Sequence, residues 1–330
     1  MMGYPLKILN ELEKVTNKTF IDVDFVIPCW KYTNGLGYTI LKKKIVQLGL
    51  SNCSLSFLPS SIRDLKSLRI LDISDNNISL LPEEFGDLIS LQRLHIYDNQ
   101  IEELPPSFGK LVNLRELNIG GNKLKKLPES FGNLKSLQEI NLSSNQLEEL
   151  PESFGKLRSL QTLILGMNKL KYLPESFGDL KSLKELHISN NQLEKVPNSI
   201  SKLKILKNLT ITGNNLSYLP QEFGNLRQLE TLYIRDNKLK CLPGSIGNLK
   251  SIKILDLANN LLTYLPDSFK ELTSIEVLTV KENQISNISN LLKHLSSLYL
   301  LCIGEKLLTN DVEESLKRRD VQIIHKTSID

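Results

Sequence analysis

A strict 23-residue period constrains this chain of 330 residues more than any other feature. Prolines recur at this step without a slip, at Pro59, Pro82, Pro105, Pro128, Pro151, Pro174, Pro197, Pro220, Pro243 and Pro266. A second series keeps the same step, with Cys53 one period before Asn76, Asn99, Asn122, Asn145, Asn168, Asn191, Asn214, Asn237, Asn260 and Asn283. Two series in one register indicate a repeat architecture.

The unit from 114 to 137, LRELNIGGNKLKKLPESFGNLKSL, shows why the pattern repeats. Leu117 and Ile119 are two residues apart, so in a strand both side chains point into the interior of the coil while Glu116 and Asn118 point outward. One short strand cannot bury its apolar side alone. Each coil therefore needs a neighbour on either side, and the strands are expected to align as a parallel sheet.

The second half of the unit predicts how the chain turns back. Asn122 follows the strand, where an amide with donors and an acceptor can satisfy buried backbone groups. Pro128 stops strand pairing and suits the first turn of a short helical segment. Gly132 is expected to allow a tight bend there, and Phe131 to close the core from that side.

The pattern LxxLxLxxNxLxxLPxxFGxLxxL resembles the leucine-rich repeat family over roughly residues 45 to 306. The most similar class is the 23-residue form of Ras-suppressor-like and plant intracellular Ras-group proteins, whose units carry the same LPxxFGxL second half. The resemblance implies an α/β fold, a curved leucine-rich repeat solenoid with a parallel β-sheet on the concave face and short helical or 3-10 segments on the convex face. The inward leucine column predicts about 12 strands. A fold of this kind hosts many functions, so function has to be argued from sites.

Both ends depart from the repeat and are predicted to be caps. The expected organisation is an N-terminal cap over 1–44, the solenoid over 45–306 and a C-terminal cap over 307–330. Leu6, Leu9, Leu12 and Val15 recur at helical spacing and predict an amphipathic helix over 5–18 that covers the first coil. Cap strands and a turn are expected over 25–40. Asn310 and Glu313 resemble a capping box that opens a helix near 311–319, before a strand over 321–324.

Composition narrows the class of protein. Lys and Arg total 41 against 37 Asp and Glu, and the net charge of +4 is spread along the chain, which favours a soluble monomer without a nucleic-acid partner. No apolar run has the length of a signal peptide or a membrane span, so no membrane partner is expected and the predicted location is the cytoplasm. Cys29, Cys53, Cys241 and Cys302 are scattered, which predicts free thiols in a reducing compartment, although Cys29 is close enough in sequence to reach Cys53.

The search for chemistry gives no candidate catalytic residue. The four histidines share no spacing with cysteines or carboxylates that would suit zinc or a nucleophile. No Gly-rich stretch is followed by a helix in the manner of a phosphate loop. Because every coil also has the same length, no inserted loop is available to carry an active site. The chain is predicted to be no enzyme, with neither a metal nor a cofactor.

The remaining candidate site is the outward face of the strands. Between Tyr97 and Arg235 one outward column holds only small residues, which predicts a trough about 29 Å long for a helix or an extended peptide. The alternative is that small residues there reflect only packing at the crowded strand ends. Tyr and Arg often carry interface energy, and the glutamates would favour a basic partner. The predicted partner-binding residues are Arg93, His95, Tyr97, Glu116, Glu139, Ile164, Glu185, His187, Tyr233 and Arg235.

These observations predict a non-enzymatic intracellular protein-interaction module, a scaffold or adaptor with a protein partner on the concave face. The resemblance implies signalling through small GTPases or kinases. One alternative is an inhibitor or regulator that occludes the active site of an enzyme. Another is a receptor for a glycan or small molecule, which the shortage of aromatic residues on the concave face disfavours, since only Tyr97 and Tyr233 are present there.

Overall fold

The computed structural model describes residues 5–16, 19, 36–286, 288–304 and 307–325. The chain forms two compact units, Met1–Lys169 and Leu170–Asp330. Each unit is a stack of the predicted coils, in which a short strand and a short helical segment alternate. This confirms the predicted solenoid fold. The division into caps over 1–44 and 307–330 with a solenoid over 45–306 stays a prediction.

The first unit has one helix, seven strands and five 3-10 helices among its described residues. Strand β1 pairs antiparallel with β2, and β2 to β7 then follow in parallel in sequence order. The bounds are α1 Pro5–Thr16, β1 Leu36–Leu41, β2 Lys44–Leu50, η1 Ser60–Asp64, β3 Ile70–Asp72, η2 Glu83–Asp87, β4 Arg93–His95, η3 Pro106–Lys110, β5 Glu116–Asn118, η4 Glu129–Asn133, β6 Glu139–Asn141, η5 Glu152–Lys156 and β7 Thr162–Ile164.

The second unit repeats the arrangement, and its described strands β8 to β14 are parallel in sequence order. The bounds are η6 Glu175–Asp179, β8 Glu185–His187, η7 Asn198–Lys202, β9 Asn208–Thr210, η8 Gln221–Asn225, β10 Thr231–Tyr233, η9 Gly244–Asn248, β11 Ile254–Asp256, η10 Asp267–Glu271, β12 Val277–Thr279, α2 Ser289–Leu292, β13 Leu300–Cys302, α3 Asn310–Lys317 and β14 Gln322–Ile324. The twelve strands counted from the leucine column are β2 to β13, and β1 and β14 add one at each end.

The N-terminal helix packs against the first coil as predicted. In α1, Ile8, Leu9 and Leu12 are buried, and the helix contacts η1, where Ser61 Oγ donates a hydrogen bond to Glu11. Strand β1 confirms the extended segment expected before residue 40. The side chains of Leu6 and Val15, the end of the predicted helix at 17–18 and the predicted cap strands and turn over 25–35 lie outside the described residues.

The C-terminal cap has the predicted helix and strand but a different N-cap. Thr309, and not Asn310, precedes α3 in an extended conformation, and its carbonyl oxygen accepts from the Glu313 amide at 3.0 Å. The predicted capping box at Asn310 is therefore wrong. Strand β14 pairs with β13 and so extends the sheet of this unit by one strand.

The asparagine column satisfies buried backbone groups, as predicted. Asn122 Nδ2 donates to the carbonyl oxygens of Ile96, Ile119 and Gly120 at 2.9, 3.2 and 3.1 Å, and its Oδ1 accepts from the Ile101 amide at 3.0 Å. Each amide thus joins its own turn to the preceding coil. The pattern recurs in both units, with Asn76 at one end and Asn283 at the other.

Proline and glycine act differently from the prediction. Pro128 does not enter the helix but caps η4, and its carbonyl oxygen accepts from the Phe131 amide at 2.9 Å. Gly132 does not have a left-handed backbone. A Cβ atom built there would instead collide with the carbonyl oxygen of Ser153 and lie 2.7 Å from Ser153 Cβ, both on the next coil. The glycine is needed for close approach between coils.

A stack of phenylalanines closes the core of the first unit. Phe85, Phe108, Phe131 and Phe154 are fully buried, and neighbouring rings are parallel with centroids 6.1 Å apart. Neighbouring strands in a sheet are about 4.8 Å apart. Because the coils are farther apart on the helical side than on the strand side, this unit curves with its strands on the inside.

Candidate functional site

The outward side chains of the first unit's strands form a charged cluster around Glu116. Arg93 pairs with Glu116 in the register of β4 and β5, and Arg93 Nε lies 3.3 Å from Glu116 Oε2. His95 Nε2 lies 3.6 Å from the other carboxylate oxygen. Glu139 is the next residue of the same column, on β6. The sequence prediction named all four residues. The period of 23 places Arg93, Glu116 and Glu139 side by side, and His95 joins them from two residues farther along β4.

The members of this cluster differ in exposure. The Arg93 side chain is half exposed and that of Glu116 is 22% exposed, whereas His95 is fully buried. Burial raises the pKa of Glu116, and Glu139 adds to this effect while Arg93 opposes it. The imidazole is therefore closed to solvent, and Arg93 and Glu139 provide the accessible charges.

We expect acidification to destabilise the folded chain through His95. Burial lowers the pKa of His95 below its usual value of 6.5, with the Asp72 carboxylate opposing and Arg93 adding to the shift. The unfolded histidine binds a proton below that value, while the folded one resists it. This contribution to the free energy of unfolding is thus complete above about pH 6.5 and is lost as the pH falls through the lowered pKa.

Urea unfolding midpoints at about pH 7.5 and pH 5 test this expectation. The loss of stability between the two should be smaller in His95→Gln than in the wild type, and unchanged in His294→Gln, since His294 is exposed. If His95→Gln shows the wild-type loss, His95 does not carry the effect.

A cleft of about 670 Å³ lies beside this cluster in the first unit. One wall is the end of β1, where Ile40 and Leu41 are exposed after a register shift between Thr39 and Ile40. The other walls are the middle of β2 and the starts of β3 to β6. The lining residues are Thr39, Ile40, Leu41, Val46, Gln47, Arg69, Ile70, Gln92, Arg93, Arg115, Glu116, Gln138 and Glu139.

Sequence reasoning missed the column that supplies much of this lining. Arg69, Gln92, Arg115 and Gln138 each precede a strand by one residue. The amides of Gln92, Arg115 and Gln138 each donate to the carbonyl oxygen of the preceding member at 2.8 Å, and the amide of Arg69 donates to that of Val46. The column therefore adds one row of hydrogen bonds to the sheet. The sequence carries the signal as the same 23-residue step, in the column of residues directly before each strand.

The remaining predicted residues of the first unit lie farther along its strands. Tyr97 is half-buried just after β4, and Ile164 is half-buried at the end of β7. Met167 is 60% exposed near Ile164 and has a left-handed backbone with φ of 58°. These residues lie outside the lining of the cleft.

The second unit carries the other four predicted residues. Glu185 and His187 are half-buried on β8, Tyr233 is 36% exposed at the end of β10, and Arg235 Nε lies 3.5 Å from Asp236 Oδ2. Tyr233 is in register with Asp256 of β11, whose pKa is raised by burial. The predicted trough has one wall in each unit and stays a prediction.

The described residues include no group of three or more His, Cys, Asp or Glu side chains placed to hold a metal ion. None of the helices in the described part of the chain has the length and apolar character needed to cross a bilayer. Thiols without a disulfide partner are present at Cys241, which is partly exposed, and at the buried Cys302. Cys29 lies outside the described residues.

Comparison with known proteins agrees with this architecture. The family model described as "Leucine-rich repeat region" matches residues 44–146, 140–216 and 198–328. No curated protein matches. Among solved structures, a leucine-rich repeat protein of Leptospira interrogans is 27% identical, with 84% of this chain and 83% of that chain covered and a TM-score of 0.58.

Two further solved structures are similar to the chain. An internalin of Listeria monocytogenes, InlF, is 25% identical over 86% of this chain and 82% of its own, with a TM-score of 0.74. The Arabidopsis receptor kinase HAESA, solved in complex with the peptide hormone IDA and the co-receptor SERK1, is 27% identical with a TM-score of 0.66. That match covers 85% of this chain but spans only half of the HAESA chain.

Proposed function

Because the chain belongs to the leucine-rich repeat family, we propose that it is a non-enzymatic module that binds a protein partner on the strand face of its first unit. Leucine-rich repeat folds generally mediate protein–protein interaction. HAESA, a similar structure, was solved with a peptide hormone and a co-receptor. From HAESA we take only the kind of partner, which is a polypeptide.

The cleft beside β1 is the observation that carries the proposal. Arg69 and Arg115 supply cationic donors, Gln92 and Gln138 supply amides, and the exposed Ile40 and Leu41 supply an apolar rim. The rest of the lining is mainly polar and includes the carboxylates of Glu116 and Glu139. A peptide segment with an apolar side chain at the rim and an acidic one at Arg69 and Arg115 would match both parts of this surface, whereas the glutamates alone favour a basic partner.

The finer part of the proposal is a role as a scaffold or adaptor. The recurring LPxxFGxL half resembles the Ras-suppressor-like class, which points to small GTPases or kinases as partners. We place the protein in the cytoplasm as a monomer, and the thiols of Cys241 and Cys302 support a reducing compartment.

The test starts from a partner captured from native cells on the full-length chain. Arg115→Ala and Ile40→Ala should each weaken its binding at least about fivefold, which corresponds to about 1 kcal/mol, because both side chains line the cleft. Tyr233→Ala and Arg235→Ala test the predicted surface of the second unit in the same titration. Calorimetry on each variant provides the dissociation constants.

Lys126→Ala is the matched control, since Lys126 is exposed outside the lining of the cleft. It should bind as the wild type does. Unchanged affinity in both Arg115→Ala and Ile40→Ala would exclude the cleft, and an inhibited enzyme as the captured partner would favour the alternative of occlusion.

A further inference from the structure

One exposed column of the first unit belongs neither to the core nor to the lining of the cleft. It consists of the residue directly after the leucine that ends each 3-10 helix, and we name it the flank column. In the first unit its members are Lys66, Ile89, Val112, Lys135 and Arg158, all of them exposed. In the second unit the same position holds Lys181, Lys204, Arg227 and Lys250.

The backbone fixes the flank column on successive coils. The amides of Val112, Lys135 and Arg158 each donate to the carbonyl oxygen two residues earlier, at 2.8 to 2.9 Å. The preceding leucines are fully buried and hold each turn in place. The side chains of the column therefore project from equivalent turns, as one row on the surface of the unit.

Two large apolar side chains lie in this row among cations. Ile89 is 52% exposed and Val112 is 48% exposed. Their coils are joined at this point because Asn113 Nδ2 donates to the Ile89 carbonyl oxygen at 2.8 Å. Phe57 and Leu80 form another exposed apolar pair one period apart, but their column also includes Glu103 and Glu149. Ile89 and Val112 instead lie between cations, so this pair indicates a surface that contacts something both apolar and anionic.

The cations around this pair are available for binding. Lys110 lies 3.9 Å from Asp87, so that pair is loose. Lys66, Lys135 and Arg158 form no ion pair within the described part of the chain. Free cations that flank an apolar pair match the chemistry of an anionic lipid interface, where headgroups meet the cations and apolar side chains enter the acyl boundary.

We propose that the flank column of the first unit binds the surface of a bilayer that contains anionic lipids. A nucleic acid would use the cations but would leave Ile89 and Val112 against a phosphate backbone, and so the apolar pair favours the bilayer. This surface is separate from the cleft, and the inference goes beyond the proposed protein binding. The inference departs from the expectation that the chain has no membrane partner. That expectation considered only consecutive apolar residues, whereas the flank column consists of residues 23 positions apart.

Sedimentation of the full-length chain with phosphatidylserine-containing vesicles tests the cations. Each Lys or Arg near such a surface contributes about fivefold to binding, so Lys135→Gln with Arg158→Gln should bind about 30-fold more weakly. Lys123→Gln with Lys126→Gln is the matched control, because it removes the same charge from exposed positions of the same unit outside the flank column. It should keep the wild-type affinity.

The apolar pair is tested separately with Ile89→Ser and Val112→Ser combined. This variant should keep salt-sensitive binding but lose the binding that remains when salt screens the charges. Circular dichroism checks that each variant is folded. If the Lys135/Arg158 double variant unfolds, the single variant Lys135→Gln replaces it and should bind the vesicles about fivefold more weakly than the wild type. Equal binding to neutral and anionic vesicles would overturn the proposal. So would equal losses in the Lys135/Arg158 and Lys123/Lys126 double variants, or tighter binding to a DNA duplex than to anionic vesicles.

Discussion

Replacing Asn122 with leucine should lower the free energy of unfolding by about 4 kcal/mol. Leucine has a similar size but can neither donate nor accept a hydrogen bond. The Ile101 amide would lose its acceptor, and the Ile96 carbonyl oxygen would keep only a long bond of 3.4 Å from Asn99. Each buried polar group without a partner costs about 1–3 kcal/mol.

The other two acceptors of Asn122 limit the expected loss. The Gly120 carbonyl oxygen also accepts from the Asp98 amide at 3.0 Å, and that of Ile119 accepts from Asn145 Nδ2 at 3.0 Å. These groups stay satisfied after the substitution. The main cost therefore comes from the orphaned Ile101 amide and the weakened bonding of the Ile96 carbonyl oxygen, to which the loss of the bonds themselves is added.

Chemical unfolding followed by circular dichroism measures this loss, and Asn133→Leu is its control. Asn133 is exposed at the end of η4, in the same unit and only 11 residues away. Surface substitutions usually change stability by less than about 0.5 kcal/mol. Equal midpoints for the two variants would mean that the asparagine column does not join the coils.

The asparagine column shows what the sequence can predict about this fold. An amide that recurs after each of the strands β3 to β12 implies a set of backbone donors and acceptors there that needs partners, and the bonds of Asn122 confirm it. The strand positions follow as well, because Leu117 and Ile119 can share a buried face only in a strand. Periodicity carries both inferences, since it fixes which residues of neighbouring coils lie side by side.

The contribution of glycine could not be deduced in this way. Gly132 was expected to bend the chain, but it is constrained by Ser153 on the next coil. That constraint depends on the distance between two coils, which no pattern within a single coil contains. The predicted helix start at Pro128 likewise differs by one residue from the observed start of η4 at Glu129. The start depends on where the first 3-10 hydrogen bond forms.

The candidate site was predicted in part for the same reason. Arg93 and Glu116 meet because they are one period apart. The burial of His95 and the wall formed by Ile40 at the end of β1 could not be foreseen. The wall depends on how β1 pairs with β2, where the 23-residue period is absent.

Replacing Gly132 with alanine should lower the free energy of unfolding by about 3 kcal/mol. Helix propensity alone predicts the opposite sign, since alanine at a permitted backbone conformation usually stabilises by about 0.4–1 kcal/mol. The added methyl group would collide with the Ser153 carbonyl oxygen and Cβ, which are close to or part of the backbone and cannot rotate away. Overpacking of this kind costs about 1–3 kcal/mol, or more where the neighbour cannot move.

Gly244→Ala separates the two effects, because a Cβ atom at Gly244 would meet nothing within 4 Å. Gly244 begins η9, so alanine should leave stability unchanged or raise it by about 0.5 kcal/mol. Thermal and urea unfolding of both variants measure the difference. If Gly132→Ala were as stable as Gly244→Ala, neighbouring coils could move apart without cost, and close approach between coils would not explain the glycine at this position of the repeat.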